Sequence, residues 1–129
     1  MAIASIELQK AVFSALNNKP YPVYDAVPAQ SPMPHITIGE EVLLRDSTKT
    51  EKRTQHSITI HCWSKENGTK QVKEMMDKTL VTLLDQPISV QGFYCAYKEL
   101  TLSQTIKEID GTAVIQHGVI QITFKLMEV

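Results

Sequence analysis

The feature that most constrains the fold is an alternating segment at the C-terminal end of the chain. Between Thr112 and Val129, the apolar side chains of Ile120, Ile122, Phe124 and Leu126 alternate with polar ones. A period of two is typical of a strand with one face on a core. Asp110-Gly111, directly before this segment, favours a tight hairpin turn. The sequence therefore predicts a hairpin whose second strand is long and half-buried.

Two segments have the period of a helix instead. Residues 3–17 have a narrow polar stripe of Glu7, Lys10 and Ser14, and most of the remaining surface is apolar. A helix this apolar must be covered over much of its surface, and part of that cover could come from another subunit. Residues 69–85 repeat apolar positions from Val72 onward at helical spacing, before Pro87.

The remaining patterned segments read as strands. Strands are predicted over His35–Ile38, His56–Trp63 and Ile88–Tyr97, the last of them bent at Gly92, whereas the pattern over Tyr97–Ile109 is undecided. Only the second helix could serve as a parallel crossover. The predicted fold class is therefore α+β, a mainly antiparallel β-sheet with two α-helices packed on it, in a single domain over residues 1–129.

Five of the six prolines lie within fifteen residues, from Pro20 to Pro34. Proline fixes φ, removes a backbone donor and pushes the residue before it toward extended conformations. The segment Pro20–Glu40 is therefore predicted to form one or two short strands joined by a rigid connection.

The next segment, Glu40–Gln55, holds four acidic and four basic residues and has no sustained apolar period after Leu44. We predict a long, mobile hairpin loop over about residues 40–55, since long polar loops within a compact domain are usually functional or mobile. Two interpretations remain open. The loop is either a solvated insertion or an assembly loop that orders only against a partner.

Composition narrows the classes of function. The chain has 129 residues and a formal charge of −1, so no whole-molecule field favours nucleic acid or an anionic membrane. No apolar run reaches membrane-spanning length, and the N-terminal residues do not resemble a signal peptide. Cys62 and Cys95 form no recognisable framework, which suits free thiols in a reducing compartment such as the cytoplasm, although a disulfide is an alternative.

No catalytic, cofactor-binding or metal-binding motif is found. His56 and His61 are five residues apart on one predicted strand, so they point to opposite faces. We predict that His35, His56 and His117 are strand-end or surface residues, and that Cys62 is buried beside Ile58 and Ile60. The sequence thus predicts no enzyme, no cofactor and no metal. A small enzyme or ligand-binding domain remains a minor alternative, because catalytic residues can converge without a motif.

Four ordered pieces of sequence carry a family resemblance. "PVYDAVP" at Pro22–Pro28 is followed closely by "PHITIG" at Pro34–Gly39. "HCWSKENG" at His61–Gly68 leads into the second predicted helix, and "HGVIQITFKL" at His117–Leu126 forms the last strand. Because these pieces occur in this order, the chain resembles the tail-completion, or tail-terminator, family of long-tailed bacteriophages and prophages. The resemblance covers nearly the whole chain.

The resemblance implies a structural role and no reaction. It implies a ring of identical subunits, typically a hexamer, at the head–tail joint of the virion. Its partners would be the major tail tube protein and the head-completion or connector protein, with genomic DNA passing through without specific binding and no membrane involved. Another head–tail joint protein, such as a head-completion stopper, is the nearest alternative.

A ring needs subunit edges held at a fixed angle, and rigid extended segments could set it. Tyrosine is favoured at interfaces, and the charged loop could contact a neighbour. An edge strand that covers the core is an equally good interpretation of the rigid segment. The candidate assembly residues are Tyr21, Tyr24, Val27, Arg45, Lys49, Lys52 and Arg53.

Overall fold

The computed structural model describes residues 3–16, 21–25, 32–45, 52–66 and 68–129, and the structural statements below refer to these residues. In chain order, the elements are α1 (Ala4–Leu16), β1 (Val23–Tyr24), β2 (His35–Arg45), β3 (Arg53–Ser64), α2 (Lys70–Leu80), a π-helical segment (Val81–Asp85), β4 (Phe93–Asp110) and β5 (Ala113–Glu128). The predicted α+β class and both helices are confirmed.

The strands form one five-stranded sheet in the order β1-β2-β3-β5-β4. Only β1 runs parallel to its neighbour, with Val23 opposite Ile36, and all other pairs are antiparallel. The proline-rich segment thus supplies β1 and the start of β2, as predicted for its described residues. Residues 26–31 lie outside the described residues.

The core lies between one face of the sheet and the two helices. From α1, Leu8, Val12 and Leu16 are buried at a spacing of four residues. The C-terminal alternation is confirmed, because all four predicted core residues of β5 are at most 1% exposed. The faces of α1 and β5 that the sequence marks as apolar therefore meet in one layer.

From α2, four buried side chains at helical spacing complete the core: Val72, Met75, Met76 and Thr79. Gly118 on β5 lets α2 approach closely. A Cβ atom built there would lie 2.6 Å from the Met76 sulfur and 3.0 Å from a methyl group of Val72.

The predicted loop over residues 40–55 is wrong at both ends. Glu41–Arg45 pairs with Thr54–Ile58, so both strands run farther than their apolar pattern suggests. The reason is that β3 is paired on its other side too, with Arg53 opposite Met127 of β5. Backbone pairing on both sides holds β3 in register even where its side chains are polar. Residues 46–51 of the prediction lie outside the described residues.

The segment after α2 also differs from its prediction. The strand predicted over Ile88–Tyr97 begins only at Phe93, because Gly92 has a φ of 85° and lies in a turn. The undecided segment Tyr97–Ile109 belongs to the same long strand, β4. Its register against β5 shifts twice, between Cys95 and Tyr97 and between Leu100 and Leu102. These irregularities change which face each side chain takes, so no single alternation runs through β4.

The prediction that three histidines are strand-end or surface residues holds for His35, the first residue of β2, and is wrong for His56 and His117, which lie inside β3 and β5. His56 is 0% exposed, and His35 and His117 are also buried. His56 is satisfied in its buried position because Nδ1 donates a hydrogen bond to Glu41 Oε2 at 2.6 Å, while Nε2 bonds the Thr54 hydroxyl at 2.8 Å. Most buried polar groups have hydrogen-bond partners, and both ring nitrogens of His56 do.

Candidate assembly surfaces

The structure separates the sequence-predicted assembly residues into two groups. Tyr21 and Tyr24 lie at β1, whereas Arg45, Lys52 and Arg53 lie at the far end of the β2–β3 pair. The two groups are roughly 25 Å apart, given a rise of about 3.3 Å per residue along β2. Val27 and Lys49 lie outside the described residues.

Tyr21 and Tyr24 both make contacts within the chain. Tyr24 packs edge-on against His35, with ring centroids 5.8 Å apart. Tyr21 is half-buried against the core, and burial, with a smaller effect of Glu74, raises the pKa of its hydroxyl. Both tyrosines thus make contacts at the edge of the sheet of their own chain, and their role in assembly stays a prediction.

The outward face of α1 is an apolar surface of the kind that sequence analysis anticipated. Ile3, Ile6 and Phe13 are 58%, 50% and 37% exposed, while Leu8 and Val12 on the opposite face are fully buried. Ile6, Gln9, Lys10 and Phe13 line a groove of about 430 Å³ on this face. The helix therefore has two apolar faces, and the sheet of its own chain covers only one of them.

A second exposed apolar surface follows β4, the edge strand of the sheet. Its exposed large apolar side chains lie on both faces of the sheet: Tyr94, Tyr97 and Leu102 on the helix-free face, and Leu100 and Ile109 on the face that carries the core. Bulges and charged side chains on an edge strand discourage direct strand addition. With two register shifts and with Lys98, Glu99, Lys107 and Glu108 along it, β4 is better suited to side-chain contacts than to extension of the sheet.

Sequence analysis missed this surface, because the two register shifts hide its pattern. It also missed the exposed apolar residues at the end of β2. Val42, Leu43 and Leu44 are each about half-exposed, and Arg45 and Lys52 beside them are exposed. The available signal is a short apolar run, Val42–Leu44, inside the charged segment for which the sequence predicts a loop.

The helix-free face of the sheet carries a connected network of rings and carboxylates. The Trp63 and His117 rings stack at 3.9 Å between centroids. His61 Nδ1 and His117 Nε2 are hydrogen-bonded at 2.7 Å, and His61 Nε2 is 3.2 Å from Glu40 Oε1. Gly39 permits this packing, since a Cβ atom there would lie 2.7 Å from the His61 ring.

The order of the hydrogen bonds fixes where the protons lie. A carboxylate only accepts, so His61 Nε2 donates to Glu40, and this hydrogen bond is the main cause of the lowered pKa of Glu40. A neutral His61 must then accept at Nδ1 from His117 Nε2. This leaves Nδ1 of His117 unprotonated, buried and without a hydrogen-bond partner in the described part of the chain, 3.6 Å from Glu108 Oε2.

Acid should therefore destabilise the fold through His117. Burial, and then the neighbouring His61, lower the pKa of His117 below its ordinary value of 6.5. As the pH falls below 6.5, the unfolded chain takes up this proton first, so stability that is present above pH 6.5 is lost as the pH falls through the folded-state pKa. Urea midpoints between pH 7.5 and pH 5 measure the loss.

The matched variant for this measurement is His117→Phe, which keeps a ring over Trp63 but does not titrate. We expect its midpoint to fall less steeply with acid than that of the unsubstituted protein. Equal slopes for the two proteins would contradict the assignment to His117.

The described residues show no metal centre. No group of three or more His, Cys, Asp or Glu side chains among them is arranged to hold a metal ion. Cys62 is fully buried beside Ile58 and Ile60, as predicted, and burial raises the pKa of its thiol to about 12. Both cysteines are free thiols. No helix in the described ranges is long and apolar enough to cross a membrane.

Comparison with known proteins finds one matching family and solved structures with a similar fold. The family described as "Tail completion protein gp17" matches residues 7–126. A chain from the virion of a native gene transfer agent (GTA) particle has a TM-score of 0.83 at 16% identity, over 98% of this chain and 99% of that one. The gp17 protein of bacteriophage SPP1 has a TM-score of 0.64 at 23% identity, over 95% and 91%. Among curated proteins, no sequence matches.

The family match covers most of the chain, so the protein belongs to the tail completion protein gp17 family. It is a structural protein of the bacteriophage tail, and its place is the virion. The resemblance stated from the sequence is thus confirmed at the level of the family. The two structural matches agree with it in fold.

Proposed function

We propose that this protein completes the phage tail by closing the end of the tail tube as a ring and by joining the tail to the head connector. The observation that carries the proposal is the outward face of α1, where Ile6 and Phe13 lie opposite the buried Leu8 and Val12. A tail completion protein with an uncovered apolar helix face needs a protein neighbour, since association buries such surface.

The exposed surface of β4 supports a ring in particular. Closed rings form through heterologous interfaces, in which two different patches of each subunit meet. The outward face of α1 and the side chains of β4 are two such patches on different elements. The subunit count that we propose is six, and the partners are the major tail tube protein on one side and the connector on the other.

The chemistry of the helix-free face suits a structural role. Across the middle of this face, the hydroxyls of Ser57 and Thr101 each hydrogen-bond the Thr123 hydroxyl, at 2.9 Å and 2.6 Å. Neutral hydroxyl groups and a net charge of −1 provide no cluster of cations to hold phosphates. We therefore propose that genomic DNA passes the ring without specific binding, and that the protein catalyses nothing.

Two measurements test the ring and its role. The mass of the purified protein, and its rotational symmetry in electron micrographs of the isolated protein and of tails, give the subunit count. Deletion of the gene from the phage should yield DNA-filled heads and separate tails, some of them overlong, and supplying the gene in trans should restore joined virions. Joined virions with tails of normal length after the deletion would overturn the proposal.

A further inference from the structure

At one end of the helix-free face, exposed apolar side chains of β2 and β4 lie side by side across the sheet. Residues that pair across neighbouring strands share a face. The pairing defines a row across four strands, made of Leu44, Gln55, Lys125 and Tyr97. The next row on one side begins with Val42 and ends with Glu99, and the row on the other side ends with Tyr94. Val42, Leu44, Tyr94 and Tyr97 are each 46–60% exposed.

These three rows are called the apolar area below. At the usual strand spacing and rise, the area measures roughly 14 Å across the strands and about 13 Å along them. That size fits one helix, whose diameter with side chains is about 10–12 Å. An apolar sheet face is stable when another element packs on it. Both helices described in this chain pack on the opposite face, so the apolar area needs a helix from elsewhere.

One carboxylate points out of the apolar area together with its apolar side chains. Glu99 is exposed and lies two residues beyond Tyr97 on the same face of β4. The Tyr97 hydroxyl donates a hydrogen bond to Glu99 Oε2 at 2.9 Å, which holds the carboxylate beside the ring. An ionised carboxylate accepts several hydrogen bonds, so Glu99 can also receive a donor from outside the chain. The apolar area therefore offers an anionic acceptor next to an exposed aromatic ring.

The outward face of α1 has the complementary character. Ile3, Ile6, Lys10 and Phe13 follow one another at a spacing of three or four residues, so they form one stripe about 15 Å long. Lys10 lies inside this apolar stripe with its side chain 70% exposed, and its ion pair with Glu7, at 3.5 Å, is a weak surface pair. A partner that covers Ile6 and Phe13 also removes water from the ammonium group, so it must supply an acceptor among apolar side chains.

We infer that α1 of one copy packs on the apolar area of the next copy, with Lys10 paired to Glu99. The stripe and the area agree in length, in apolar character and in the sign of their charges. In each copy α1 covers one face of the sheet and the apolar area lies on the other, so the two surfaces are on opposite sides of the subunit. Copies can therefore follow one another head to tail, as a ring requires. The inference rests on the proposed ring and names its interface.

Charge exchange tests the pairing of Lys10 with Glu99. Lys10→Glu and Glu99→Lys should each raise the subunit concentration needed for half-assembly by about tenfold, since like charges then face each other. The double variant restores opposite charges at every contact and should recover most of the loss. Lys73→Glu, at an exposed position of α2, is the matched control and should assemble normally. Sedimentation measures assembly, and unfolding midpoints confirm that each variant is folded.

Two results of the charge exchange would overturn the inference. One is that both single variants assemble as the unsubstituted protein does. The other is that the double variant assembles no better than the weaker of the two single variants, because the losses then come from each position separately and not from a contact between them.

Cross-linking tests the position of α1 directly. In a Cys95→Ser background, protein with Lys10→Cys is mixed with protein carrying Glu99→Cys and treated with a short thiol-reactive cross-linker. We expect linked dimers that contain one copy of each. The matched control replaces Lys10→Cys by Lys73→Cys and should give no such dimer. Rings that form without the specific cross-link would overturn this interface and leave the ring intact. Failure of the unsubstituted protein to form rings, alone or on tails, would instead overturn the proposed function.

Discussion

Glu41→Ala is expected to lower the free energy of unfolding by about 1.5–3 kcal/mol, the range for a hydrogen bond that involves a charged group. The Glu41 carboxylate accepts at 2.6 Å from Nδ1 of His56, and His56 is 0% exposed. Without the carboxylate, a buried imidazole N–H has lost its acceptor in a place where water does not readily replace it. Denaturant unfolding at pH 7 measures the change.

Two further variants make this expectation specific. Glu41→Gln keeps an amide oxygen that can accept the hydrogen bond, so its loss should be smaller than that of Glu41→Ala. The neighbouring Glu40 also meets a histidine, but its side chain is 75% exposed. Glu40→Ala should therefore cost at most about 1 kcal/mol, as exposed pairs do. Equal losses for Glu40→Ala and Glu41→Ala would contradict the role assigned to burial.

The elements that could be predicted from the sequence are those whose pattern is local and regular. The α1 core face repeats every four residues, and apolar residues alternate with polar ones along β5 from Ile120 to Leu126. In both cases the period of the backbone brings the apolar side chains to one face, whatever the rest of the chain does. The sequence of the first helix is apolar over most of its surface, and this correctly indicated a second apolar face besides the one on the core. The proposed function rests on that outward face.

β4 escaped prediction because its pattern is regular only in segments. At each register shift an additional residue on β4 changes the face of those that follow, so Tyr97 and Leu100 fall on different faces from those that a constant alternation gives them. The extra length of β2 and β3 escaped for another reason. The polar end of β3 is held by backbone pairing with β2 on one side and β5 on the other, and the end of β2 is held by pairing with β3 alone. Backbone pairing leaves no mark in side-chain periodicity.

The buried histidines depend on partners that are distant in sequence. His61 meets His117 across β3 and β5, and their positions differ by 56 residues. Single-sequence reasoning places each histidine on a strand and predicts its face, but it cannot tell which side chain stands opposite until the strand order is known. With the order β3-β5-β4, the approach of His61, His117 and Glu108 follows from the register.

Gly118→Val is expected to destabilise the protein by about 1–3 kcal/mol, the usual cost of overpacking a dense core. Even a Cβ atom at this position would meet Met76 at 2.6 Å and Val72 at 3.0 Å, and valine adds two methyl groups. Denaturant unfolding measures the loss. Gly68→Ala is the matched control, because nothing lies within 4 Å of a Cβ atom at that position, and its effect should be much smaller.

A double-mutant cycle attributes the loss to the contact between α2 and β5. Met76→Ala removes the side chain that a Cβ atom at position 118 would strike. In the otherwise unsubstituted protein this truncation leaves a cavity and should cost about 2–5 kcal/mol. In the Gly118→Val background, the valine methyl groups occupy part of that cavity, so Met76→Ala should cost less there. Strict additivity of the two substitutions would show that the helix does not rest on β5 at this position.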